Sequence, residues 1–86
     1  MITIYTKPDC VYCTRAKNLM KSREIPFEEK KLDVDFTIEE FIIAFPNRKT
    51  FPLLMQYDRV IGGYVELVEA ISANEHFGKM ILNEGN

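Results

Sequence analysis

Three things are scarce in this sequence: long apolar runs, an excess of one charge, and metal-binding side chains. No stretch approaches the roughly 20 apolar residues of a bilayer-spanning helix, so no membrane association is expected. The 11 basic and 13 acidic residues leave a net charge of −2. That balance excludes the counterion release behind general nucleic-acid binding. His76 is the one histidine, and Cys10 and Cys13 are the two cysteines. Together they fall short of the four ligands of a structural zinc site. The start, "MITIYTKPD", lacks the long apolar core of a signal peptide, so a cytoplasmic location is expected. With no repeat, low-complexity segment or linker, the 86 residues are expected to form one domain, 1–86.

What is present is a clear succession of elements. "ITIY" (2–5) reads as a short strand and "TKPD" as a loop. From Val11 to about Arg23 the pattern is helical, with Cys13, Ala16, Lys17 and Met20 on one face. "IPFEEKKLD" (25–33) reads as a second strand, charged as an edge strand is. Thr37 and Glu40 have capping-box spacing, with Phe36 and Phe41 placed for a hydrophobic staple. Ile38, Phe41, Ile42 and Phe45 then mark one helical face, and Pro46 ends it. Residues 52–63 suggest a hairpin turning near Tyr57–Asp58 and broken by Gly62–Gly63. A third helix presents Tyr64, Leu67, Val68 and Ile71 on one side. Phe77, Met80 and Ile81 suggest a further amphipathic turn before a frayed "NEGN". The order is βαβαββα. A parallel first pair with a right-handed crossover and a closing hairpin predict an α/β fold with one mixed four-stranded sheet flanked by helices.

The chemistry centres on Cys10-Val11-Tyr12-Cys13. In a reducing compartment this spacing is redox-active or metal-binding rather than a structural staple. Cys10 falls at a strand-to-helix junction, where unpaired N–H groups and the helix dipole favour a thiolate. Free cysteine titrates near 8.5, and C-x-x-C cysteines at helix N-termini titrate lower, at about 3.5–7.5. Lys7 adds positive potential; Asp9 opposes it but can turn into solvent. Cys13 lies one turn further along the apolar face, less exposed and within disulfide reach of Cys10. Cys10 is therefore the expected attacking sulfur and Cys13 the resolving one. The other readings are half of a metal site and two inert thiols. The βαβ setting favours a thioredoxin-like redox pair.

Three stretches together resemble the glutaredoxins of the thioredoxin-fold superfamily. "YTKPDCVYC" (5–13) is similar to the family's strand, lysine and C-P-Y-C. "NRKTFPLLM" (47–55) is similar to its R-x-T-V-P and following strand, and "VIGGYVEL" (60–67) to its I-G-G-x-x-D-L. The resemblance implies a thioredoxin fold and a cis peptide bond before Pro52. It also implies a glutathione-dependent disulfide oxidoreductase with Cys10 and Cys13 as its catalytic dithiol. Phe51 would offer its backbone to the cysteine part of glutathione, and Lys7 and Arg48 would meet the glycine carboxylate. Tyr12 would wall the site. Gly62 and Gly63 would allow close approach. Tyr64 and Val65 would contribute backbone groups, and Glu66 a charge for the γ-glutamyl ammonium. The pattern is broken at three places: Val11 replaces the usual proline, Phe51 the usual valine, and the pair Val65–Glu66 an Asp- or Ser-Asp pair.

By the same resemblance, glutathione is a co-substrate, no cofactor is tightly bound, and the chain is a monomer. Protein disulfides and glutathione mixed disulfides are the expected substrates. C-V-Y-C is also similar to phage-encoded glutaredoxins that serve ribonucleotide reductase, which makes that enzyme a candidate partner. Two alternatives are a thioredoxin-like reductase recharged by a flavoprotein and a glutathione-ligated [2Fe–2S] protein.

Overall fold

The computed structural model describes residues 1–78. The elements follow the expected order: β1 (Ile2–Thr6), α1 (Val11–Ser22), β2 (Phe27–Lys31), α2 (Ile38–Ala44), β3 (Leu53–Gln56), β4 (Arg59–Gly62) and α3 (Tyr64–Ala73). The strands form one mixed sheet in the order β2-β1-β3-β4. β1 pairs in parallel with β2 and antiparallel with β3, which continues antiparallel into β4. The charged strand β2 lies at an edge, where its Glu and Lys side chains discourage further pairing.

Alternation along β1 sends side chains to two separate cores. Ile2 and Ile4 pack with Ala16 and Met20 of α1, Leu54 of β3, and Leu67 and Ile71 of α3. Tyr5 faces the other way and, with Leu53, meets Phe36 and Phe41 around α2. Thus α1 and α3 cover one face of the sheet and α2 the other. Ile2, Ile4, Met20, Leu54 and Leu67 are fully buried; each contributes roughly 1.5–3 kcal/mol by leaving water.

Local chemistry closes the helices. Glu24, at φ 58°, ends α1 in a left-handed conformation. The N–H of Ile25 then donates to Met20 O at 2.9 Å and that of Glu24 to Lys21 O at 3.1 Å. This is a Schellman closure with glutamate in the usual glycine place. It delivers Ile25 into the core, 3% exposed. Strand β2 is therefore shorter than the expected 25–33. At α2, the Glu40 N–H donates to Thr37 Oγ1 at 3.1 Å, and the Thr37 N–H to Glu40 Oε1 at 2.8 Å. The Phe36 and Phe41 rings lie 5.7 Å apart, as the staple requires.

The expected apolar face of α2 is only partly used. Phe41 is buried, but Ile38 and Ile42 are 40% and 54% exposed. The helix meets the sheet along its Phe41 and Phe45 side, both rings lying against Tyr5, and nothing else among the described residues covers Ile38 and Ile42 to the same extent. In the hairpin, Tyr57 takes the left-handed conformation, φ 56°. Phe77 packs against the first core. Met80, Ile81 and the terminal "NEGN" lie outside the described residues.

Candidate active site

The site is built where β1 runs into α1. Thr6 ends β1, three residues turn the chain, and Cys10 caps the helix with extended backbone, φ −109° and ψ 103°. Asp9 makes the turn in the left-handed region, φ 57°, which aspartate tolerates better than most residues. The Cys13 N–H donates to Cys10 Sγ at 3.1 Å. Sulfur thus takes the place that a serine or aspartate oxygen usually fills at a helix start. No acidic residue occupies the first turn of α1, so the positive end of the helix dipole is not offset from within.

Cys10 and Cys13 are joined by a disulfide, with Cα atoms 5.2 Å apart. Their exposures differ as expected: Cys13 is 2% exposed and Cys10 is half-buried, although both border one cleft. An incoming thiolate therefore reaches Cys10 first. Among the described residues, no group of three His, Cys, Asp or Glu side chains is placed to hold a metal ion.

A cleft of about 670 Å³ opens beside the disulfide, bordered by Lys7, Lys17, Lys31 and Val34. Its wall carries a polar cluster that sequence reasoning missed. Glu29 Oε2 accepts from the Thr6 hydroxyl at 2.7 Å and from Lys17 Nζ at 3.1 Å. Burial alone would raise the pKa of Glu29. The Thr6 and Lys17 hydrogen bonds, with the charges of Lys17 and Lys31, outweigh it and hold the carboxyl below its usual range. A signal was available. Lys17 shares the face of Cys13 and Ala16, and a cation on an apolar face calls for a carboxylate. Register decides which one: Glu29 is the partner of Ile4 across the parallel pair, and so lies on the face covered by α1.

The other expected site residues form two further groups. The Phe51–Pro52 bond is cis and Pro52 is buried. Gly63 lies against it: a Cβ there would stand 3.5 Å from the Pro52 carbonyl oxygen. Gly62, at φ 126°, has no room for a side chain, since a Cβ would meet Glu66 Cγ at 2.7 Å. The Tyr12 and Tyr64 rings lie 5.6 Å apart, bringing the start of α1 to the start of α3. Arg15 stacks its guanidinium 5.2 Å from the Tyr12 ring centre. Glu66 turns back to its own helix start, where Oε1 accepts from the Gly63 N–H at 2.8 Å. Val65 is exposed. Arg48 and Phe51 line a separate depression of about 300 Å³ beside α2.

The family model described as Glutaredoxin matches residues 2–61. The chain belongs to the glutaredoxin family. It is 36% identical over 66 residues to glutaredoxin 3 of Escherichia coli K12, covering 77% of this chain and 80% of that protein. The solution structure of glutaredoxin from Brucella melitensis is similar at 28% identity and a TM-score of 0.71, covering 93% of this chain and 92% of that one. The glutaredoxin-like NrdH-redoxin of E. coli, described as having a thioredoxin-like activity profile, is similar at 30% identity and a TM-score of 0.59. That match covers 73% of this chain and 82% of that one. The fold is the thioredoxin-like fold of the glutaredoxins, and the Cys10–Cys13 pair makes the chain a thiol–disulfide oxidoreductase.

Proposed function

We propose that this glutaredoxin reduces protein disulfides, that of ribonucleotide reductase among them, and glutathione mixed disulfides, and that glutathione recharges it. The chain acts as one catalytic domain and as a monomer, in the cytoplasm. The Cys10 thiolate attacks one sulfur of a substrate disulfide. A mixed disulfide forms, and the other substrate sulfur leaves as a thiolate that takes a proton from solvent. Cys13, as thiolate, then attacks Cys10 Sγ. The Cys10–Cys13 disulfide forms, the second substrate thiolate departs, and two electrons have passed to the substrate. One glutathione thiolate attacks Cys10 Sγ and releases Cys13. A second attacks the glutathione sulfur of that mixed disulfide, giving oxidised glutathione and the Cys10 thiolate.

The observation that carries this reading is the convergence at Pro52. Gly63, at the start of α3, approaches its carbonyl, and the Tyr12 ring lies against that of Tyr64. A peptide held along Phe51 and Pro52 would pair with backbone as an added strand does. Its γ-glutamyl carboxylate would reach the N–H groups that open α3 at Tyr64 and Val65. Glu66 would face the ammonium, and Lys7 and Arg48 the glycine carboxylate.

A thioredoxin-type recharge is the second reading, favoured by the likeness to NrdH-redoxin. One experiment separates the two. Disulfide reduction is followed with glutathione plus glutathione reductase, and again with thioredoxin reductase, each with NADPH. Turnover with glutathione supports the proposal; turnover with thioredoxin reductase alone rejects it.

A further inference from the structure

Helix α2 turns apolar side chains to water. Ile38, Ile42 and Ile43 are 40%, 54% and 81% exposed. Isolated exposed isoleucines are ordinary, but Ile38 and Ile42 flank a depression. Phe41 and Phe51 form its floor, Ile38 and Ile42 its wall, and Arg48 and Lys49 its rim. No carboxylate lines it. Among the described residues, neither cation takes part in an ion pair.

Its position ties it to the chemistry. Phe51 immediately precedes Pro52, and β3 begins at Leu53, the partner of Tyr5 in β1. β1 leads directly to Cys10. The depression and the sulfurs therefore share one end of the sheet. At about 300 Å³, it is at the lower end of the ligand-pocket range of roughly 300–1,000 Å³, suited to one or two side chains.

We propose that this depression is a docking subsite for protein substrates. It takes a large aliphatic or aromatic side chain next to an acidic residue, on the segment carrying the reacting cysteine. The inference rests on the reading of this chain as a reductant of protein disulfides. The apolar side chain covers Phe51, Ile38 and Ile42, and the carboxylate meets Lys49, while Arg48 adds its charge until glutathione takes it in the later recharging step. Charge decides between occupants. In a two-fold contact between copies, the same patch would face itself and bring like cations together. A nucleic-acid phosphate would leave the aromatic floor uncovered. An apolar–acidic segment satisfies both features.

Two synthetic peptides with the same intramolecular disulfide provide the test. One carries Leu-Asp on both sides of the cysteine pair, the other Ala-Lys. Reduction of each is measured with glutathione and glutathione reductase, with 2-hydroxyethyl disulfide as a small reference. The Leu-Asp peptide should have a kcat/KM about 3–10 times higher, mainly through KM. Ile42→Ser should remove most of that preference. Lys49→Glu should cancel or invert it. Both variants should turn over the small disulfide at the original rate. Equal use of the two peptides, or a preference that survives both variants, overturns the subsite and leaves the wider reading standing. Failure to reduce the peptides and the small disulfide alike overturns both. Sedimentation supplies the remaining arm: a dimer that Ile42→Ser converts to monomer makes the patch a self-interface and overturns the subsite.

Discussion

The Cys13 N–H points at Cys10 Sγ across 3.1 Å. One cysteine's backbone thus prepares the other's side chain. Cys10 is reachable and electrostatically supported; Cys13 is 2% exposed and is delivered to the mixed disulfide by the first turn of α1. Cys10→Ser should abolish all exchange. Cys13→Ser should keep reduction of glutathione mixed disulfides, which needs only Cys10 and a second glutathione, while protein-disulfide reduction falls at least tenfold. Parallel assays with a glutathionylated peptide and a protein disulfide check this. Activity surviving in Cys10→Ser would reverse the two roles.

The same contact predicts the reactivity of the reduced protein. Iodoacetamide alkylation of Cys10 should rise with pH and reach half its plateau below the free-cysteine value of about 8.5, because the helix start stabilises the anion. Lys7→Ala should move the midpoint upward, since it removes a cation from the cleft that holds the sulfur. A midpoint at or above the free value contradicts the nucleophile assignment.

Glu29 links stability to pH. Its carboxyl is held below the ordinary range, which means the folded state favours the charged form. The associated stabilisation is full above the unfolded glutamate pKa, near 4.3, and is lost as pH falls through the lower folded value. Glu29→Gln should therefore destabilise at pH 7, and the difference from wild type should shrink towards pH 3. The Lys17 and Glu29 side chains are 26% and 21% exposed, so water weakens the pair. A loss of about 1–2 kcal/mol is expected, read as a Tm lowered by roughly 4–15 °C in thermal melts. An equal loss at both pH values would remove the linkage.

Glu66 has two possible roles that one pair of variants separates. Its Oε1 caps Gly63, and an amide oxygen accepts the same bond more weakly than a carboxylate. Glu66→Gln should thus lower Tm only slightly while raising the KM for glutathione several-fold, with turnover by dithiothreitol unaltered. Glu66→Ala should lose the cap too, at a cost of about 0.5–2 kcal/mol. If Glu66→Gln leaves the KM unchanged, the ammonium of glutathione is not met by this residue.

Local signals in the sequence determined the order of elements, the capping box at Thr37 and Glu40, the placing of Cys10 at a helix start and the burial of Cys13. Each depends on residues within one turn or one strand of each other, so spacing alone reports it. What only the tertiary structure decided depends on which element lies across from which. Lys17 is legible as a cation on an apolar face, but its partner Glu29 follows from the parallel register of β1 and β2. Ile42 has the periodicity of a buried residue, yet stays half in water because the sheet covers the Phe41 and Phe45 side of α2 and no other described element packs over the Ile38 and Ile42 side. Glu66 reads as an open charge, but the tight backbone at Gly62 and Gly63 draws it back onto its own helix. Periodicity says which side chains share a face; only packing says what, if anything, covers that face.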